Sequence, residues 1–143
     1  MTQKTLTVIV THAFKLPAER VFDAWLDIKL ARKWFFATDG GDMVVAELDP
    51  RVGGGFRFTD NRDGQEVEHV GEYLEITRPT RIVFSFCLPA FNPKPDIVMV
   101  EISPTAEGCI LTLTHTMAAE YEEYTERTQE GWTKMLQRLA TFL

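Results

Sequence analysis

Residues 109–143 read CILTLTHTMAAEYEEYTERTQEGWTKMLQRLATFL, and the period of their apolar residues changes partway along. From Cys109 to Thr116 the pattern alternates, with Leu111 and Leu113 on the same face as His115. A period of two marks a strand with one buried face. From Ala119 to Leu143 the spacing becomes helical. Tyr124, Thr128, Trp132, Leu136 and Leu139 follow in steps of four, four, four and three, and Met135 and Leu143 extend the stripe. A helix patterned this way packs one face on something. Glu120, Glu122, Glu123 and Glu126 crowd its first half and Lys134 and Arg138 its second, which complements the helix dipole. The pattern predicts a strand over Cys109–Thr116 and one helix over Ala119–Leu143.

The surface that receives this helix is written upstream. Thr5 to Phe14 is rich in β-formers and predicts a first strand. Leu16-Pro17-Ala18-Glu19-Arg20 opens a helix carrying Val21, Phe22, Trp25 and Leu26, because Pro and Glu both suit a first helical turn. A second short helix spans Ile28 to Trp34, with Leu30 and Trp34 on one side. Gly40-Gly41 predicts a turn, Met43 to Leu48 a strand, and Asp49 to Gly55 another turn. Phe56 to Thr59 follows as a strand, with Asp60 to Gly64 as its hairpin loop. Longer strands cover Glu66–Ile76, Arg81–Leu88 and Asp96–Ser103. Pro79 lies in the first connection, and Pro89, Pro93 and Pro95 mark a looser second one. Glu107-Gly108 turns into the last strand. Strands in series joined by short turns make an antiparallel sheet. The fold class expected is α+β: a curved sheet of about seven strands, two short helices after the first strand, and a long C-terminal helix over the inner face. No repeat or linker interrupts residues 1–143, so one domain is expected.

Bulk properties narrow the function. A chain of 143 residues can bury one real core, with roughly 70% of its unfolded surface removed from water. Hydrophobic residues make up 45% and charged ones 25%, as in ordinary globular proteins. The formal net charge is −6, and Lys and Arg are scattered, which argues against nucleic acid and anionic membrane as partners. No run approaches the ~20 apolar residues of a membrane-spanning helix. The first residues, MTQKTLTVIVTHAF, lack the apolar core of a secretion signal. Cys87 and Cys109 show no CxxC spacing and read as reduced thiols. A cytoplasmic location is expected. An edge strand is compatible with a monomer or a homodimer.

Six stretches then stand in a telling order: Pro17 to Trp25, Lys33-Trp34-Phe35, Asp49 to Gly54, Gly71 to Ile76, Leu111 to His115, and Gly131-Trp132. Together they resemble the helix-grip fold of the START-like superfamily. Within it the chain is most similar to SRPBCC proteins related to the C-terminal domain of the activator of heat-shock protein 90 ATPase. The resemblance implies a deep cavity between sheet and last helix. Relatives hold lipids, hormones, polyketides or antibiotics there; some cyclise or dehydrate the ligand, and many have no known activity. The shared pattern is chiefly structural and carries few catalytic residues to transfer. The chain shows no counterpart of the full co-chaperone's separate N-terminal domain, so ligand binding is expected ahead of a chaperone contact.

Under the container reading, the cavity-lining candidates are Trp34, Phe56, Phe58, Tyr73, Phe84, Phe86, His115, Tyr124, Thr128, Trp132, Met135 and Leu136. Each aromatic residue also reads as plain core packing; as a group they could wall a flat ligand. Gly131 inside a helix costs ~1 kcal/mol against Ala, which predicts a close approach to the backbone there, by a strand ahead of a ligand. His12, His69 and His115 lie on three strands, with His12 and His115 towards opposite ends of one pairing, so no metal site is expected. His115 reads as a hydrogen-bonded core histidine or as a polar contact at the cavity. Glu72 and Glu75 are read as facing opposite sides of their strand, so one of them could enter the cavity as an acid or base, although an outer-face or paired carboxylate is expected ahead of that. Gly53-Gly54-Gly55 is not a phosphate loop, since no GK[ST] follows. Asp60 to Gly64 is not a calcium loop, since Arg62 and Gly64 fall where oxygen ligands belong. No cofactor is expected. A binding module is the first reading. A cyclase- or hydrolase-type enzyme using the same cavity, and a protein-interaction module, are the alternatives.

Overall fold

The computed structural model describes residues 4–90 and 92–143, with the side chains of Asn92 and Pro93 also set aside. Residues 1–3, where the N-terminal segment begins, and the Pro93 ring lie outside the described set. The chain runs β1 (Thr5–Phe14), α1 (Ala18–Leu26), α2 (Ile28–Trp34), β2 (Asp42–Leu48), β3 (Gly55–Arg62), β4 (Gln65–Thr77), β5 (Arg81–Leu88), β6 (Asn92–Pro104) and β7 (Cys109–Ala118). A short 3-10 segment (Ala119–Tyr124) then leads into α3 (Thr125–Phe142). The strands form one antiparallel sheet in the order β1-β7-β6-β5-β4-β3-β2. This is the helix-grip arrangement expected.

Alternation decides which face is buried. On β7, Cys109, Leu111, Leu113, His115 and Met117 point inward; on β6, Val98, Val100 and Ile102 do; on β5, Ile82, Phe84 and Phe86 do. α1 contributes Val21, Phe22 and Trp25 to the same core, α2 contributes Ala31 and Trp34, and α3 contributes Trp132, Leu136 and Leu139. Burying side chains of this size contributes roughly 1.5–3 kcal/mol each. The Trp34 indole N–H donates to the Ala24 carbonyl at 3.1 Å, tying α2 to α1. Gly71 marks a close approach: a Cβ there would overlap the Ser85 carbonyl oxygen and the Phe56 ring.

Three expected boundaries are corrected. The β3–β4 loop is not Asp60–Gly64, because β3 continues to Arg62 and the turn is Asp63-Gly64 alone. Both residues have positive φ, 54° and 85°, as a two-residue hairpin turn requires. The β5–β6 connection is shorter than Pro89, Pro93 and Pro95 suggested. Leu88 pairs with Asn92, with a register shift between Phe86 and Leu88. The final helix is also not continuous from Ala119. Tyr121 sits at φ −101°, ψ 24°, outside helical values, which separates the acidic segment Ala119–Tyr124 from α3.

Candidate functional site

α3 does not close over the whole sheet. Between it and one end of the concave face lies a cleft of about 1400 Å³, partly open to solvent. Its walls come from β4 (Val67, His69), β5 (Phe86, Leu88), β6 (Asp96), β7 (His115, Met117), the α2–β2 loop (Phe36 to Asp39), and the face of α3 from Arg127 to Phe142. Tyr121 and Tyr124 of the 3-10 segment stand at its edge.

Phe36 shapes one wall. Its φ of 57° is a left-handed conformation that bulky side chains rarely adopt, a cost of order 1–3 kcal/mol that surrounding contacts must offset. Those contacts are specific. Its ring stacks on His69 at 4.2 Å and on Phe86 at 5.1 Å. Its N–H donates to the Met135 sulfur at 3.2 Å, and its carbonyl accepts from Arg62 Nη2 at 3.2 Å. Arg62 Nε also donates to buried Asp60 at 2.9 Å, and the Thr38 hydroxyl donates to the same carboxylate oxygen at 2.7 Å.

The polar groups of the cleft are ordered by these walls. His69 Nδ1 lies 3.2 Å from the Phe58 carbonyl, so the ring donates from that nitrogen. Burial drives its pKa down to about 4, outweighing the carbonyl contact that would raise it. On the opposite wall, His115 Nε2 lies 2.8 Å from Asp96 Oδ2, and the Trp132 indole N–H donates to His115 Nδ1 at 2.9 Å. Three elements, β6, β7 and α3, thus contribute one chain of hydrogen bonds. His115 is 3% exposed by side chain and Asp96 16%.

The twelve candidate residues divide evenly. Phe86, His115, Tyr124, Thr128, Trp132 and Met135 line the cleft. Trp34, Phe56, Phe58, Tyr73, Phe84 and Leu136 do not; they are packed in the core. The physical reason is Phe35, whose buried ring fills the concavity beyond α2, 5.3 Å from Phe56, 5.1 Å from Phe58 and 5.8 Å from Phe84. Tyr73 has its hydroxyl buried without a partner among the described residues, and burial raises its pKa above the usual phenol range.

The expected placements of Gly131 and of Glu72 and Glu75 change as well. Gly131 packs against no strand: a Cβ built on it meets nothing within 4 Å, and the residue lines the cleft. Glu72 and Glu75 both face outward. A register shift between Tyr73 and Glu75 puts Leu74 out of step, so Glu72 lies across from Ser85 and Glu75 from Val83 on the outer face. Glu75 pairs there with Arg81 at 3.8 Å. His115 faces Val8 across β1, while His12 faces Leu111 with its ring tilted against Phe14 at 4.6 Å, so the histidines do not converge. Among the described residues, no group of three or more His, Cys, Asp or Glu could hold a metal. Burial raises the pKa of both thiols, Cys87 and Cys109, which leaves them poor nucleophiles. No described helix is long and apolar enough to cross a membrane.

Asp96, Phe36 and Arg62 were missed as site residues. Asp96 had a readable signal, since it shares the two-residue alternation of Val98, Val100 and Ile102 and so points inward. Phe36 had none, because its position depends on a left-handed backbone.

Comparison with known structures returns the same fold. A protein of Nitrosomonas europaea superposes with a TM-score of 0.84 at 20% identity, covering 96% of this chain and 94% of its own. A Staphylococcus aureus protein of unknown function gives 0.83 at 18% identity, covering 98% and 94%. A Chromobacterium violaceum protein gives 0.80 at 25% identity, covering 94% and 95%. No curated protein matches the sequence significantly. One family model, described as activator of Hsp90 ATPase homolog 1-like protein, matches residues 15–143.

Proposed function

The chain belongs to the activator of Hsp90 ATPase homolog 1-like family, and from that premise we propose that it binds a small hydrophobic or aromatic molecule between the sheet and α3. The observation that supports this reading is the cleft. Its volume, about 1400 Å³, exceeds the ~300–1,000 Å³ of ordinary small-molecule sites. Phe86, Trp132, Met117 and Met135 offer apolar and aromatic wall, and Asp96 offers a polar anchor. The protein would act in the cytoplasm as a monomer or homodimer, with Cys87 and Cys109 reduced.

The enzyme reading has less support. Catalysis by His115 needs a free nitrogen, yet both are engaged, one by Asp96 and one by Trp132. Glu72 and Glu75 point to solvent. A chaperone contact has less support too. Ile9, Ile97 and Ile110 are exposed on the outer face, but Ile9 lies across from Thr114, Ile97 from Thr116 and Ile110 from Ala13, so they form no continuous patch.

Native mass spectrometry of protein purified from its own host tests the proposal. A non-covalent adduct of small-molecule mass is expected, and filling the cleft by Thr128→Trp should remove it. A spectrum of bare protein, or an adduct that survives that substitution, would count against the reading.

A further inference from the structure

We infer that the cleft selects a cation: its occupant is a flat aromatic or apolar molecule bearing a protonated amine, amidine or guanidine that pairs with Asp96. This rests on the binding reading above and adds the ligand's charge.

The argument starts from the Trp132 indole, which can only donate. Its N–H points at His115 Nδ1 across 2.9 Å, so that nitrogen carries no proton. The imidazole is then neutral, with its single proton on Nε2 and donated to Asp96 Oδ2 at 2.8 Å. Orienting a carboxylate through a neutral ring leaves its charge intact, so the pair carries a net charge of about −1. Asp96 stands opposite Phe86 in the β5–β6 register, with only 16% of its side chain exposed. Among the described residues, its second oxygen has no hydrogen-bond or ion-pair partner.

Among the described residues, four cations line the cleft, and two of them are held by carboxylates while Lys134 stands exposed at the rim. Arg62 is held by Asp60, and Arg138 by Asp39 and the Lys33 carbonyl. Arg127 stands over the Tyr124 ring at 5.8 Å. A mostly buried charge among aromatic walls favours a counter-charge from whatever enters. An anionic group placed beside Asp96 would meet a fixed like charge.

Calorimetry at neutral pH with three probes on one ring system tests this: 1-naphthylmethylamine, 1-naphthylmethanol and 1-naphthoate. The amine should bind at least about tenfold more tightly than the alcohol, and the naphthoate most weakly. Asp96→Asn should bring amine and alcohol to within about threefold of each other. If that variant does not fold, the ranking in the unaltered protein still decides. Equal affinity for all three overturns charge selection and leaves the binding reading standing. Tighter binding of the naphthoate overturns it likewise. No binding by any probe overturns it too, and together with a bare native mass spectrum removes the binding reading as well.

Discussion

Trp132 on α3 donates its indole N–H to Nδ1 of His115 on β7 across 2.9 Å, so a helix side chain fixes the tautomer of a strand side chain. Nitrogen-15 NMR should therefore find His115 protonated on Nε2 alone. Trp132→Phe keeps a ring but leaves a buried acceptor unpaired, a loss of about 1–3 kcal/mol before any packing defect. Urea unfolding reads that loss. A His115 resonance pattern with Nδ1 protonated in the unaltered protein would break the hydrogen-bond assignment.

His69 makes stability depend on pH in a predictable direction. Its pKa falls from 6.5 to about 4 on folding, so between those values the unfolded chain binds the proton more readily. The stabilisation from neutral His69 is present above pH 6.5, shrinks as pH drops towards about 4, and changes no further below that. The full swing is roughly 2–4 kcal/mol. Across this range the protein should lose stability on acidification relative to His69→Phe, which has no group to titrate there. A constant difference would show that His69 does not titrate as described.

Gly131 occupies a helix position with open space where a Cβ would stand. Gly131→Ala should raise stability by about 0.5–1 kcal/mol, read as a higher urea midpoint. A lower midpoint would mean that the backbone at this point is approached closely after all.

The division of the twelve candidates can be measured directly. Phe84→Ala removes a ring from the packed core and should cost about 3–5 kcal/mol. Tyr124→Ala, at a position 43% exposed on the cleft edge, should stay within about 0.5 kcal/mol. Similar costs at both positions would argue that the cleft and the core are not distinct.

Much of the scaffold was legible because periodicity reports which face a residue takes. The limits of β1, α2 and β5 coincide with the expected Thr5–Phe14, Ile28–Trp34 and Arg81–Leu88. Periodicity does not report depth. Phe84 and Phe86 alternate onto the same face, yet Phe35 covers the first and leaves the second bordering the cleft. Nor does it report backbone geometry. The left-handed Phe36 carries its ring onto His69, and the shift at Leu74 turns both Glu72 and Glu75 outward. Asp96 opens the strand expected over Asp96–Ser103, and alternation alone does not show that this first residue borders a cleft.

The three tryptophans offer the most direct test of a ligand held between sheet and helix. Trp132 borders the cleft, while Trp25 and Trp34 lie in the packed core. In an NMR titration with 1-naphthylmethylamine, the Trp132 indole N–H signal should move in a saturable way while those of Trp25 and Trp34 stay nearly fixed. A Trp132 signal that stays put while the probe binds elsewhere, or that never responds at saturating probe, would contradict the account.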